Sequence, residues 1–191
     1  MGMQSERVIQ SKLGSRERAE RFYQSHLQDH LTPQMQDFIR RQSMVFIATA
    51  DAEGSCDCSP RFGKEGLVLV VDELTLAYPE FRGNGVFASL GNISENPQIG
   101  LLFIDFLETT VGLHVNGRAA CRPASEIPAQ WKANYKAKMR SAIEQWVVID
   151  VEEAFIHCSK HVPKFQTLGK KIWWGTDDPV KKSSAFFEHD G

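Results

Sequence analysis

MVFIATADAEGSCDCSPR, residues 44–61, decides the fold. Met44 to Ala50 is apolar and partly β-branched, as a half-buried strand requires. Asp51-Ala52-Glu53-Gly54 is a turn in which glycine supplies the positive φ of a tight hairpin. Ser55 to Arg61 runs back as the partner strand. Outward from this hairpin the same grammar repeats. Phe62 to Gly66 turns the chain, LVLVVD (67–72) is the most apolar strand, and Leu74 to Tyr78 pairs with it. IGLLFIDF (99–106), VGLHVNGRAACR (111–122) and WVVIDVEEAFIHC (146–158) are further strands. In the second of these, Val111, Leu113, Val115, Gly117 and Ala119 share one face. Six or more short antiparallel strands joined by hairpin turns predict a mainly β protein, a small closed barrel with peripheral helices.

The remainder is helical or irregular. Residues 1–31 are charged and helix-compatible, with Leu13, Phe22, Leu27 and Leu31 as a thin apolar stripe. Thr32-Pro33 is an N-cap followed by proline at the first helical position, and Met35, Phe38 and Ile39 continue that helix. Residues 123–145 form one helical insertion, with Trp131, Tyr135 and Met139 packed on the barrel. The 191 residues therefore make a single domain: N-terminal helices over 1–43, a barrel over about 44–162, and a tail over 163–191.

Composition excludes several classes. A formal net charge of -2 offers nothing to nucleic acid, and no apolar run approaches membrane-span length. The first residues carry no export signal, so a cytoplasmic location is expected. Four cysteines do not make a disulfide scaffold, and Cys56 and Cys58 lie on one strand face as ordinary thiols. His26 with His30, and His157 with His161, stand four apart without patterned carboxylates, so no metal site is expected.

Chemistry concentrates in YPEFRGNGVFASLGNISENP, residues 78–97. A strand ends at Tyr78, Pro79 to Gly85 turn, and a short helix follows with Val86, Phe87, Leu90 and Ile93 on its buried face. Asn96-Pro97 stops it. A glycine-flanked turn feeding a helix start leaves backbone N–H groups aimed outward, where the helix dipole favours an anion. Arg82 adds a guanidinium fork suited to phosphate, and Asn84 and Ser89 add neutral donors. The window also fits a plain strand-to-helix connection carrying a solvated arginine; it is neither a P-loop nor a dinucleotide fingerprint.

Three blocks, VFIATADAEGSCDCSPRFG, YPEFRGNGVFASLGNISENPQIGLLFIDF and IHCSKHVPKF, resemble the flavin-binding split barrels related to pyridoxamine 5'-phosphate oxidase. Within that family the chain is similar to the branch described as predicted flavin-nucleotide-binding proteins, over residues 34–162. The resemblance implies an antiparallel, Greek-key-like split barrel and a homodimer with flavin mononucleotide (FMN) at the subunit interface. It places Ser59, Arg61, Phe62 and Gly63 on the strand whose arginine meets the flavin and ribityl chain, and Tyr78-Pro79 beside the cofactor. Arg82, Gly83 and Asn84 match phosphate ligands, with Ser89 and Asn92 on the supporting helix. Arg61 and Lys64 are the candidate cations for the flavin's N1/C2 edge, and Lys160 and His161 could border the site.

Two departures separate this chain from the oxidase proper. Arg82-Gly83-Asn84 offers one charge where the oxidase has Ser-Arg-Lys, and Trp173-Trp174-Gly175 with Lys170 and Lys171 does not reproduce its substrate-gripping tail. The expectation is an FMN-dependent oxidoreductase acting on a small molecule, but not an efficient vitamer oxidase. The alternatives are a flavin carrier without its own substrate, and a split barrel holding haem or a deazaflavin. No catalytic residue, electron donor or acceptor is legible.

Overall fold

A computed structural model describes residues 4–133, 135, 137–169, 178 and 180; Lys170, Lys171 and Trp173 to Gly175 lie outside the described residues. Helices α1 (Gln4–Lys12), α2 (Arg16–Ser25) and α3 (Pro33–Arg41) precede β1 (Met44–Ala50) and β2 (Cys56–Phe62). Then come β3 (Leu69–Val70), β4 (Thr75–Phe81), α4 (Ala88–Glu95), β5 (Gln98–Ile104) and β6 (Gly112–Pro123). Two short helices, α5 (Ala129–Lys132) and α6 (Ala137–Arg140), lead to the long β7 (Ile143–His157). Among the described residues, no helix is long and apolar enough to cross a membrane.

The seven strands make one antiparallel sheet in the order β2-β1-β5-β6-β7-β4-β3. The sheet curls around one core that draws Val45 and Ile47 from β1, Leu76 and Tyr78 from β4, and Leu101 and Phe103 from β5. Leu113 and Val115 from β6 and Val147 and Ile149 from β7 complete its walls. Leu31, Met35, Phe38 and Ile39 of the α3 region plug one end, and the Thr32 hydroxyl accepts the Met35 N–H at 3.3 Å as the expected cap. The barrel is split rather than closed: β2 and β3 are the sheet's two edges, with no ladder between them among the described residues.

The departures from the sequence reading have tertiary causes. Residues 67–72 pair only over Leu69–Val70. The Leu67 carbonyl instead accepts the buried Tyr135 hydroxyl at 3.1 Å, and Gly66 N–H is spent on Gln42. β4 continues through Pro79 and Glu80, where a turn was expected. Because β3 covers only Leu76 and Ala77, Pro79 pairs solely with β7 and leaves its missing N–H on an open edge. The 123–145 insertion is broken into short pieces, yet Trp131, Tyr135 and Met139 do pack together around Trp146. Leu13, placed on an apolar stripe, is 74% exposed.

One close approach pins the register of β6 on β7. The ladder shifts between Asn116 and Gly117, and a Cβ at Gly117 would lie 2.1 Å from the Asp150 carbonyl oxygen. Neither strand can retreat without breaking the central ladder. Gly117→Ala is therefore expected to cost at least about 2 kcal/mol in urea unfolding, and an unchanged midpoint would show that the ladder is not rigid there.

Candidate functional site

Strand alternation gives β2 two unlike faces. Cys56, Cys58, Pro60 and Phe62 are exposed on one, whereas Asp57, Ser59 and Arg61 are partly buried on the other. On β4 the series Leu76, Tyr78, Glu80 points to the interior, so the wall turns from apolar to acidic at its last step. Arg61 reaches across the split to that acid. Its Nε and Nη2 donate to one Glu80 oxygen at 3.1 and 2.9 Å, with the two side chains only 19% and 12% exposed. Nη1 also donates to the Ser59 hydroxyl at 2.6 Å, and Nη2 contacts the Ser89 hydroxyl at 3.4 Å. Ser89 in turn donates to Asp57 at 3.3 Å.

Ser89 belongs to the first turn of α4, so this network places the Arg61 guanidinium against the start of a helix. The entry to that helix is strained. Phe87 takes a left-handed φ of 53°, a conformation costing a non-glycine residue about 1–2 kcal/mol. It postpones the helix to Ala88. Val86 and Phe87 are consequently outside the helix and exposed, contrary to the periodicity reading, and Ser89 and Ile93 are the buried residues. Among the described residues, no side chain caps this end. Gly83 and Gly85 adopt positive φ of 48° and 81°, and the Asn84 side-chain carbonyl accepts the Val86 N–H at 3.1 Å, which fixes the turn. Arg82 stands at its start with Nε 3.7 Å from Glu144 on β7, both about half exposed, a pairing worth little in water.

β2, the end of β4 and the 82–89 segment line an open cavity of about 500 Å³. Seven sequence candidates line it: Ser59, Arg61, Phe62, Arg82, Gly83, Asn84 and Ser89. The other five do not. Gly63 donates its N–H to Ser43 and packs on Leu67, and Lys64 is exposed in the following turn. Tyr78 and Pro79 are buried in the wall, and the Asn92 amide ties α4 to the buried Thr49 hydroxyl at 3.0 Å. Lys160 and His161 occupy a short exposed turn away from this lining. His157 hydrogen-bonds His114 at 3.2 Å on the neighbouring strand.

Sequence reasoning missed Asp57 and Glu80 as lining residues. The period-two continuation Leu76-Tyr78-Glu80 would have found the second, had Pro79 not suggested a turn. Both change the electrostatics: the lining holds two guanidinium groups and two carboxylates, so its formal charge cancels. Burial raises the Glu80 carboxyl above its ordinary range, with Arg61 opposing that rise only in part. Burial also raises the Cys121 thiol, and Glu80 adds to it. The cavity can thus receive an anion at the helix start and the arginines, against opposition from its own acids. Among the described residues, no cluster of three or more His, Cys, Asp or Glu is arranged for a metal.

Tyr78 stands behind this network, 1% exposed, and its hydroxyl has no hydrogen-bond partner among the described residues. Burial drives its ionisation far above the ordinary range. Removing an unsatisfied buried hydroxyl relieves a desolvation cost, so Tyr78→Phe is expected to stabilise the fold by about 1 kcal/mol. Calorimetric unfolding checks this; a loss of stability would reveal a hydrogen bond at that oxygen.

The family model described as pyridoxamine 5'-phosphate oxidase matches residues 31–158. Among curated proteins, none matches the chain. Solved structures agree in fold. HupZ of Group A Streptococcus is 24% identical, aligned over 65% of this chain and 92% of its own, with a TM-score of 0.52. A candidate pyridoxamine 5'-phosphate oxidase from Lactobacillus delbrueckii is 22% identical, over 67% and 95%, with a TM-score of 0.50.

Proposed function

The chain belongs to the pyridoxamine 5'-phosphate oxidase family, and from that premise we propose that the cavity at the split holds the phosphate end of FMN in a flavin-dependent oxidoreductase acting on a small molecule. One observation carries this reading. Arg61, Arg82, the hydroxyls of Ser59 and Ser89 and an uncapped helix start meet in a single cavity. That donor set suits a phosphate monoester, which takes charge-assisted hydrogen bonds from guanidinium forks and helix N–H groups alike.

Residue roles follow from placement. Gly83 lets the backbone approach the phosphate, because it carries no side chain and its positive φ disfavours any residue that does. Asn84 locks the turn through the Val86 N–H, and Asn92 holds α4 against β1 so that the helix start stays aimed at the cavity. Phe62, 52% exposed at the end of β2, offers an aromatic face to the isoalloxazine or to a partner chain. When bound, the flavin supplies the redox chemistry, accepting a hydride and passing electrons on. The protein's contribution is binding, orientation and the field of Arg61.

A homodimer completes the proposal. β5 alternates, burying Ile99, Leu101 and Phe103 in the barrel, while Leu102 and Ile104 lie half-buried on its outer face beside Phe46 of β1. An apolar outer face next to a cavity open to solvent suits a second copy of the chain. Light scattering at micromolar concentration is expected to give twice the chain mass, and a flavin-loaded monomer would remove the shared site. The single arginine of the 82–84 turn also argues against efficient turnover of pyridoxamine 5'-phosphate, whose own phosphate would need further cations.

The binding claim is tested at Arg82, whose exposed side chain can be removed without leaving a buried charge. Arg82→Ala is expected to weaken FMN by about 2 kcal/mol, or about thirtyfold. Gly83→Val should cost at least as much by blocking close approach, and Arg82→Lys should recover only part of the loss. Flavin fluorescence quenching reads all three, and unchanged affinity in folded Arg82→Ala protein would move the phosphate elsewhere.

A further inference from the structure

We propose that Glu80 is an internal ligand of Arg61 that the cofactor's phosphate replaces, so that FMN binding is accompanied by uptake of one proton from solvent onto the Glu80 carboxylate. This rests on the FMN reading above and adds to it a competitor built into the chain. Two contacts from the Arg61 fork end on one Glu80 oxygen, and a third N–H of the same guanidinium touches Ser89 in the first turn of α4. The cation that an anion at the helix start would use is therefore already engaged by a carboxylate.

The surroundings decide what happens to that carboxylate when a phosphate arrives. Facing it are Arg61 and Asp57 from β2, Tyr78 from its own strand, Cys121 from β6 and the Ser89 hydroxyl from α4. Arg61 is the cation in contact with it among the described residues; Arg82, the second guanidinium of the lining, stands 3.7 Å from Glu144. Sharing the Arg61 fork with a phosphate dianion would leave Glu80 a poorly compensated charge in a site 12% exposed, beside a second anion. Both burial and a like charge favour the neutral acid. Rotation into solvent is no easy escape, because Glu80 alternates with Leu76 and Tyr78 on the interior face of a strand paired to β7. Tyr78 and Cys121, whose ionisation burial already opposes, hold their protons and have none to gain.

The sign of the effect separates it from the phosphate's own titration. A phosphate monoester has its second pKa near 6, so above pH 7 it is a dianion and its capture by cations takes up no proton. A proton taken up at pH 7.5 must then go onto the protein. Linkage gives the pH dependence: wild-type affinity falls by up to about tenfold per pH unit between the Glu80 pKa of the free protein and its higher pKa in the complex, whereas without the carboxylate it is flat above pH 7.

The experiment is calorimetric titration of FMN at pH 7.5 in two buffers of different ionisation enthalpy, repeated with riboflavin and on Glu80→Gln and Asp57→Asn. The expected result is uptake approaching one proton per FMN in wild type and in Asp57→Asn. Glu80→Gln should show none and bind FMN at least about tenfold tighter at pH 8, and riboflavin should bind without uptake. FMN binding to wild type with no proton uptake would overturn the role of Glu80 and leave the FMN site standing. Uptake that survives in Glu80→Gln and disappears in Asp57→Asn would assign the proton to the wrong acid and overturn it likewise. Failure of FMN to bind wild type at any pH from 6 to 8.5 would overturn both this inference and the reading beneath it. The wild-type measurement decides the matter even if a variant fails to fold.

Discussion

The Arg61–Glu80 ion pair is the interaction on which the rest of this structure turns. Backbone hydrogen bonds hold every other neighbouring pair of strands, but β2 and β4 lie on opposite sides of the split and share no ladder among the described residues. A guanidinium fork on one edge strand and a carboxylate near the other bridge that gap with side chains. A pair this buried contributes little net stability, since desolvating two charges offsets most of their attraction. What it fixes is geometry: it sets the distance between the two walls of the cavity and orients Arg61 toward Ser89 and the start of α4.

The same constraint explains why the interior changes character along the strands. Deep in the barrel, alternating positions are Val, Ile, Leu and Phe, and β6 and β7 approach so closely at Gly117 that no side chain fits. Toward the split, β2 offers Asp57, Ser59 and Arg61 in the equivalent positions and β4 ends on Glu80. A surface of this kind cannot be buried dry, because every polar group needs a partner. The network satisfies its members mutually.

Much of the fold was legible because its signals were local. The 44–61 hairpin, the Thr32-Pro33 helix start and the apolar alternation of 111–122 each carry their own physical reason, and each stands where the sequence put it. The boundaries that failed depended on distant partners. LVLVVD has the composition of a long strand, but Tyr135 takes the Leu67 carbonyl from 68 residues away. Pro79 ordinarily interrupts a strand and is tolerated because β3 is too short to need its N–H. Seven of the twelve candidate residues line the cavity, the ones carried by β2 and by the 82–89 segment. Glu80 was hidden by the proline before it, and its pairing across the split is a tertiary fact that no spacing in the chain encodes.

On the function proposed for it, this cavity recognises the phosphate of a flavin rather than its ring alone. Comparing FMN with riboflavin on the wild-type protein tests it most directly, since the two differ only in the phosphate. Fluorescence quenching at pH 7 is expected to give FMN an affinity at least about thirtyfold higher, the worth of one or two charge-assisted contacts. Equal affinity for the two flavins would contradict the account.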